Sequence, residues 1–264
     1  MKKTLSLLTF ILVFNYSFSQ KTELVKEWIM MDTLFISQVT RAHNISTDKL
    51  LEVLDVTNEN RDNLGFNYEL KEASNGKGYM SFWYKILYYK NQVIAYELTA
   101  GIPNKSKKVK NLYKEKLSHL FEISDEFKIT PLTFGKKRAS EPIIFQDLKS
   151  TKELEIAMNP FTGVIYGNYC GYGSSLLTNR EAFDKIINPS NCEFLMYSKN
   201  PATRIMAIEY FYCNISDFNS IKINEIEKRI EEIKKYSPLT KTCGGCIIGR
   251  DRTKSIINKL KNCR

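Results

Sequence analysis

All six cysteines of the chain stand at or after position 170: Cys170, Cys192, Cys213, Cys243, Cys246 and Cys263. Nothing else restricts the fold as much, because cross-links among these residues would brace the C-terminal part, while the rest must rely on its own core. Whether they cross-link depends on the compartment, and the N-terminus bears on that. Lys2 and Lys3 precede an apolar run from Leu5 to Phe14, and Ser17, Phe18 and Ser19 place small residues at the two positions a signal peptidase reads. The pattern predicts a signal peptide over 1–19, cleaved before Gln20, and export to the periplasm or the exterior. The apolar run is shorter than the roughly 20 residues that span a bilayer, and no later stretch is long and apolar enough. The mature chain is therefore expected not to span a membrane. In an oxidising compartment an even set of cysteines is read as disulfides first, and the sequence does not choose among the pairings.

The uneven placement of cysteine divides the mature chain into an expected α+β module over 20–150 and a cysteine-containing all-α module over 151–264. The formal net charge of the chain is +10. Much of the excess lies in two clusters, Lys105 to Lys116 and Arg250 to Arg264, which read either as solvated faces or as a surface for an anionic envelope component. Export argues against nucleic acid as a partner.

In the first module, Leu24, Trp28, Ile29, Leu34 and Phe35 approach helical spacing, with Glu23, Lys26, Glu27 and Asp32 between them, and predict an amphipathic helix. Ser46 or Thr47 opens a shorter helix with Leu50, Leu51 and Leu54 on one face. From Leu64 the period becomes two. Phe66 to Leu70, Tyr79 to Tyr89 and Val93 to Ala100 read as an antiparallel meander of three strands, with a turn at Asn75 to Gly78. Its aromatic residues fit a pleated surface better than they mark a pocket. Ser106 caps a further helix carrying Val109, Leu112, Tyr113 and Leu117. Beyond Phe121, Pro131, Gly135 and Pro142 predict loop, with one short strand at Ile143 to Phe145.

In the second module, Thr178 with Glu181 and Ser190 with Glu193 read as helix-opening boxes, and Asn200 caps a helix with Pro201 at its first position. Leu195, Ser198, Lys199, Asn200, Pro201, Ala202, Thr203, Arg204, Ala207 and Phe211 together resemble the second-helix motif of HEAT-type repeats. A related run, Ser237, Pro238, Leu239, Thr240 and Lys241, follows a helix striped with Ile223, Ile226, Ile230 and Ile233. The resemblance implies tandem helical hairpins. Gly244 and Gly245 interrupt the second unit, and the Pro-x-Thr skeleton recurs at Pro131 and Pro160 in contexts that read as non-helical. The whole chain resembles exported bacterial envelope proteins of unknown function that carry such a segment. That resemblance implies no activity and no cofactor.

Two further stretches bear on chemistry. Tyr166, Gly167, Tyr169, Cys170, Gly171 and Gly173 are similar to the calcium loop of secreted phospholipase A2, with Asn168 and Ser174 departing from it. That family activates water with a histidine. Here the two histidines, His43 and His119, both precede the loop and are isolated, so the likeness carries no general base. Cys243, Gly244, Gly245 and Cys246 form a Cys-x-x-Cys pair, open to three readings: a structural disulfide, a thiol–disulfide oxidoreductase with Cys243 as attacking thiolate, or a metal ligand pair. Cys263 is expected to tie down the C-terminal helix. No phosphate loop, nucleophile elbow or catalytic triad stands out. The expected protein is a non-catalytic interaction or envelope-associated one, using the concave side of its helical pairs or its basic surface, with thiol–disulfide exchange as the competing reading and phospholipase A2-like lipid hydrolysis as a remoter one.

Overall fold

The computed structural model describes residues 2–57, 60–101, 107–117, 128–134 and 152–263. The chain is α+β and forms two compact units that interleave along the sequence. One takes residues 1–59, 72–84 and 97–133, and the other takes 60–71, 85–96 and 134–264.

The first unit opens with helix α1 (Lys2–Ile45) and helix α2 (Thr47–Val53). Ser46 lies between them in extended conformation, and its hydroxyl accepts a hydrogen bond from the Lys49 amide, as a cap should. Five strands come next in the chain: β1 (Asp62–Gly65), which belongs to the second unit, β2 (Tyr68–Asn75), β3 (Ser81–Tyr89) and β4 (Gln92–Gly101), whose residues are divided between the two units, and β5 (Lys128–Phe134). They lie in sequence order in one sheet, so the expected three-strand meander gains a strand on each side. Helix α3 (Lys107–Leu117) comes between β4 and β5. Strand β5 runs through Pro131, where loop was expected. As the last strand in the sheet order it can accommodate a residue without an amide hydrogen. Ser106, His119 and the expected strand at Ile143 to Phe145 lie outside the described residues.

The buried face of α1 carries Asp32, Phe35, Ile36 and Val39 at helical spacing. Phe35 meets Phe82 edge to face at 4.8 Å between ring centroids, and Trp28 stacks on Tyr79 at 5.0 Å. Asp32 is the correction here: as one of the charged residues between the apolar positions of an amphipathic helix it is expected toward solvent, and it is buried. Its Oδ1 accepts the Gly78 amide at 3.0 Å, and its Oδ2 accepts the amides of Tyr79 and Met80 at 2.8 and 3.0 Å and the Tyr113 hydroxyl at 2.9 Å. Burial and the adjoining Asp32 carboxylate hold the Tyr113 hydroxyl above the ordinary tyrosine range.

The second unit contains α4 (Lys152–Met158), β6 (Ile165–Tyr166), β7 (Tyr169–Cys170), β8 (Ser175–Leu176), α5 (Thr178–Ile186), α6 (Cys192–Leu195), α7 (Pro201–Cys213), α8 (Ser220–Tyr236), β9 (Leu239–Gly244), β10 (Ile247–Arg252) and α9 (Thr253–Leu260). It is therefore not all-α: β10, β9 and β6 form a three-stranded sheet and β7 pairs with β8. Its main core surrounds α7, whose residues from Pro201 to Ile208 are all buried. A smaller cluster joins Leu64, Leu70, Leu87 and Ala95 to Phe161 and Val164.

Several local expectations are corrected in this unit. Thr178 is the first residue of α5 rather than its cap, and no side chain caps that helix. Asn188, not Ser190, organises the entry to α6, its Oδ1 accepting the amides of Ser190 and Asn191. Pro160 to Thr162 form a turn of 3-10 helix capped by Asn159. The second HEAT-like unit is not helical after Ser237: Pro238 ends the path of α8, and Leu239 to Lys241 begin β9, paired antiparallel with β10 and parallel with β6.

Candidate functional site

The first resemblance leads into the interior. Asn200 caps α7 by accepting the Ala202 amide at 3.0 Å, while its Nδ2 donates to the Gly163 carbonyl at 2.8 Å. Pro201, Arg204 and Ala207 are buried behind it, so these motif residues do not form a concave interaction surface. Arg204 donates from Nη2 to the Leu64 carbonyl and, at 3.2 Å, to the Ser237 hydroxyl; its Nε has no partner. The Phe66 ring lies 5.1 Å from the Arg204 guanidinium carbon and 4.4 Å from that of Arg229. Burial, and then the charge of Arg229, push the Arg204 guanidinium below the ordinary arginine range. Pro238 is exposed, and Lys241 is ion-paired with Asp62 beside Arg250. What the hydrogen bonds of this region do is position the chain within the fold.

The cysteines lead to the surface. Cys213 is bridged to Cys263, 4.8 Å apart at Cα, which holds the end of the chain to α7. Cys170 is bridged to Cys243, 5.6 Å apart at Cα. The Cys243–Cys246 pair is therefore not bonded to itself, and its second member is exposed and free. Cys192 forms no bridge either: it is buried, its thiol donates to the Ala207 carbonyl at 3.3 Å, and burial pushes its pKa up to about 12. Among the described residues no group of His, Cys, Asp and Glu is arranged to hold a metal ion.

The Cys170–Cys243 bridge joins two hairpins. In one, β7 and β8 pair Tyr169 with Leu176 and Cys170 with Ser175. In the other, β9 and β10 pair Cys243 with Ile248 and Gly244 with Ile247, leaving Gly245 and Cys246 as a two-residue turn. Gly245 takes φ +62 at the first turn position, the region open to glycine. The Gly171 amide also donates to the Gly245 carbonyl at 3.0 Å. Loops tied in this way present apolar side chains to solvent: Tyr172 is 99% exposed, Ile247 75% and Ile248 56%, with Tyr169 and Leu176 also exposed. Every residue of β10 is exposed, and β10 is an edge of its sheet. Arg250, Arg252 and Lys254 continue the chain from this tip as an exposed basic stretch.

Behind the tip, Arg180 Nη1 binds Glu209 at 2.8 Å, and the Tyr166 hydroxyl reaches the same carboxylate at 3.4 Å. Burial, and then the Glu209 charge, raise the Tyr166 hydroxyl above the ordinary tyrosine range. This ties β6 and α5 to α7 and leaves the tyrosine a donor. The stretch that is similar to the calcium loop thus serves as strand, bridge and exposed tip. Sequence reasoning missed the tip as a unit, although one signal was present: Ile247 and Ile248 are adjacent in a strand, so one face or the other had to carry an apolar side chain outward.

No family model matches the chain, and no curated protein or solved structure is detectably similar to it.

Proposed function

We propose that this is an exported, non-catalytic interaction protein that docks a partner protein through the tip built from the β7–β8 and β9–β10 hairpins. The observation that carries this reading is the exposure of Tyr172, Ile247 and Ile248 on loops fixed by a disulfide. Large apolar side chains on a backbone held by a cross-link lose little conformational freedom on binding, and exposed apolar surface is what a partner can cover. An aromatic anchor among them adds contact area. The basic stretch beginning at Arg250 favours a partner with acidic groups around an apolar centre. Export is part of the same proposal: the signal-like N-terminus and the two disulfides support it. No helix among the described residues is long and apolar enough to cross a membrane.

The test compares the full chain with a Tyr172→Ser, Ile247→Ser, Ile248→Ser variant. The wild type should retain a specific envelope protein on an affinity surface, and the variant should lose at least about tenfold in affinity, the equivalent of 1.4 kcal/mol, while unfolding at the same urea concentration. Equal retention by both proteins would refute the assignment of the tip.

A further inference from the structure

We propose that the Cys246 thiol exchanges with the Cys170–Cys243 disulfide, closing a Cys243–Cys246 bridge and freeing Cys170, so that the β7–β8 hairpin is tethered in one state and released in the other. The exchange is independent of what the tip binds.

Three observations carry it. The first is position: Cys246 is free and exposed, and Cys243, one half of a disulfide, lies three residues earlier on the same tight turn. The second is Gly244. Its φ is ordinary and a Cβ on it would meet nothing within 4 Å, so the observed conformation has no need of a glycine there. A glycine at 244 beside Gly245 instead gives the arc from Cys243 to Cys246 the backbone freedom to contract. The third is the poor independence of the segment that would be released. Strands β7 and β8 are two residues each, and besides the bridge the Gly171 amide, donating to the Gly245 carbonyl, ties their hairpin to the β9–β10 turn. A hairpin this short has little stability alone, so loss of the bridge frees Tyr169 and Tyr172.

The chemistry balances without any added oxidant or reductant. Cys246 gives up its proton and attacks Cys243 Sγ as thiolate, the Cys243–Cys170 S–S bond breaks as the Cys243–Cys246 bond forms, and Cys170 leaves as thiolate and takes up the proton. One disulfide and one thiol are present before and after. The buried Cys192 thiol and the Cys213–Cys263 bridge take no part.

The experiment uses the oxidised full chain, held anaerobically at about pH 8 where exchange is fast, quenched in acid, alkylated in denaturant and mapped by peptide mass. The expected result is two populations: one with alkylated Cys246 and a Cys170–Cys243 bridge, the other with the alkyl group moved to Cys170 and a Cys243–Cys246 bridge. The second should coincide with loss of amide protection over 169–176. A Cys246→Ser control should hold only the Cys170–Cys243 form, and a Cys170→Ser control shows that the Cys243–Cys246 peptide is detected when formed. A wild type that retains Cys170–Cys243 alone across pH 7 to 9, roughly the range in which thiols ionise, overturns the proposal, whatever the controls do.

Discussion

Asp32 in the first unit and Arg204 in the second are both buried charges, yet they are held in opposite ways. Asp32 accepts four hydrogen bonds, three from consecutive backbone amides and one from Tyr113. Its charge is answered by dipoles fixed in the turn between β2 and β3, so it organises that turn and ties it to α1 and α3. Arg204 has a carbonyl and a hydroxyl as partners, an unpartnered Nε, and a second guanidinium nearby in place of a carboxylate. The difference teaches that a buried charge is a strong constraint only when its hydrogen-bonding capacity is filled. A half-satisfied one is tolerated by the packing around it.

The largest effect should follow from emptying the satisfied site. Asp32→Ala leaves three amides and a hydroxyl without a partner, and should destabilise the first unit by about 3–5 kcal/mol. Hydrogen exchange gives the local readout: the amides of Gly78, Tyr79 and Met80 should lose their protection together. If they remain as slow as in the wild type, the carboxylate is not what orders the turn.

Arg204 should behave differently toward two replacements. Arg204→Ala opens a cavity and strands the Leu64 carbonyl, at a cost of about 2–4 kcal/mol. Arg204→Met fills the same space without a charge to desolvate, and should lie within about 1 kcal/mol of the wild type in either direction. Urea unfolding followed by the fluorescence of the tyrosines in this unit checks both. A loss as large for methionine as for alanine would show that the charge itself is needed, and would erase the contrast with Asp32.

The two sites also differ in how far the sequence disclosed them. Asp32 stands three, four and seven residues before Phe35, Ile36 and Val39, a spacing consistent with the buried face, but by sequence its charge groups it with Glu23, Lys26 and Glu27. Its partners were not legible, because nothing local says that the amides of Gly78 to Met80 turn toward a helix more than forty residues earlier. In the second unit the capping of α7 by Asn200 and Pro201 was legible, since it is chemistry between neighbours. The fate of Pro238 to Lys241 was not: the same tripeptide skeleton becomes a strand because β6 pairs alongside it and Cys170 bridges to it from 73 residues away. The HEAT-like reading followed local residue types and lacked those long-range partners. The apparent boxes at Thr178 and Ser190 failed for smaller reasons: α5 starts at Thr178 itself with no side-chain cap, and Asn188 takes the role expected of Ser190.

A sharper probe of the Asp32 site is Gly78→Ala. A Cβ at this position would come 2.5 Å from the Trp28 carbonyl oxygen and 2.7 Å from the Asp32 carboxyl carbon. Because the nearest obstacle is helix backbone, the turn must move away, at a cost of about 1–3 kcal/mol. The expected signature is a partial version of the Asp32→Ala exchange pattern, with the Gly78 position affected most. Unchanged protection would mean that the turn gives way without disturbing the carboxylate.

The smallest effect concerns a third acidic residue, Asp62, which lies between the two extremes: it is partly buried and meets two full cations, Lys241 and Arg250. Burial acts to raise its pKa, but the hydrogen bonds and charges of Lys241 and Arg250 outweigh it and leave the carboxyl below its ordinary 3.8. A depressed folded pKa means that the unfolded chain takes up the proton first as pH falls. The stabilisation is therefore complete above the unfolded value and is lost as pH drops through the folded one. Because the Arg250 side chain is 60% exposed, solvent screens its part. The whole contribution should be about 0.5–1 kcal/mol at neutral pH. Asp62→Asn should accordingly be less stable than the wild type by that amount above the ordinary carboxylate range, the two should converge as pH falls below that range and through the lower folded value, and added salt should narrow the gap at neutral pH. A gap that persists in acid would come from the shape of the side chain rather than its charge, and would place Asp62 with Arg204, as a residue held by packing, rather than with Asp32.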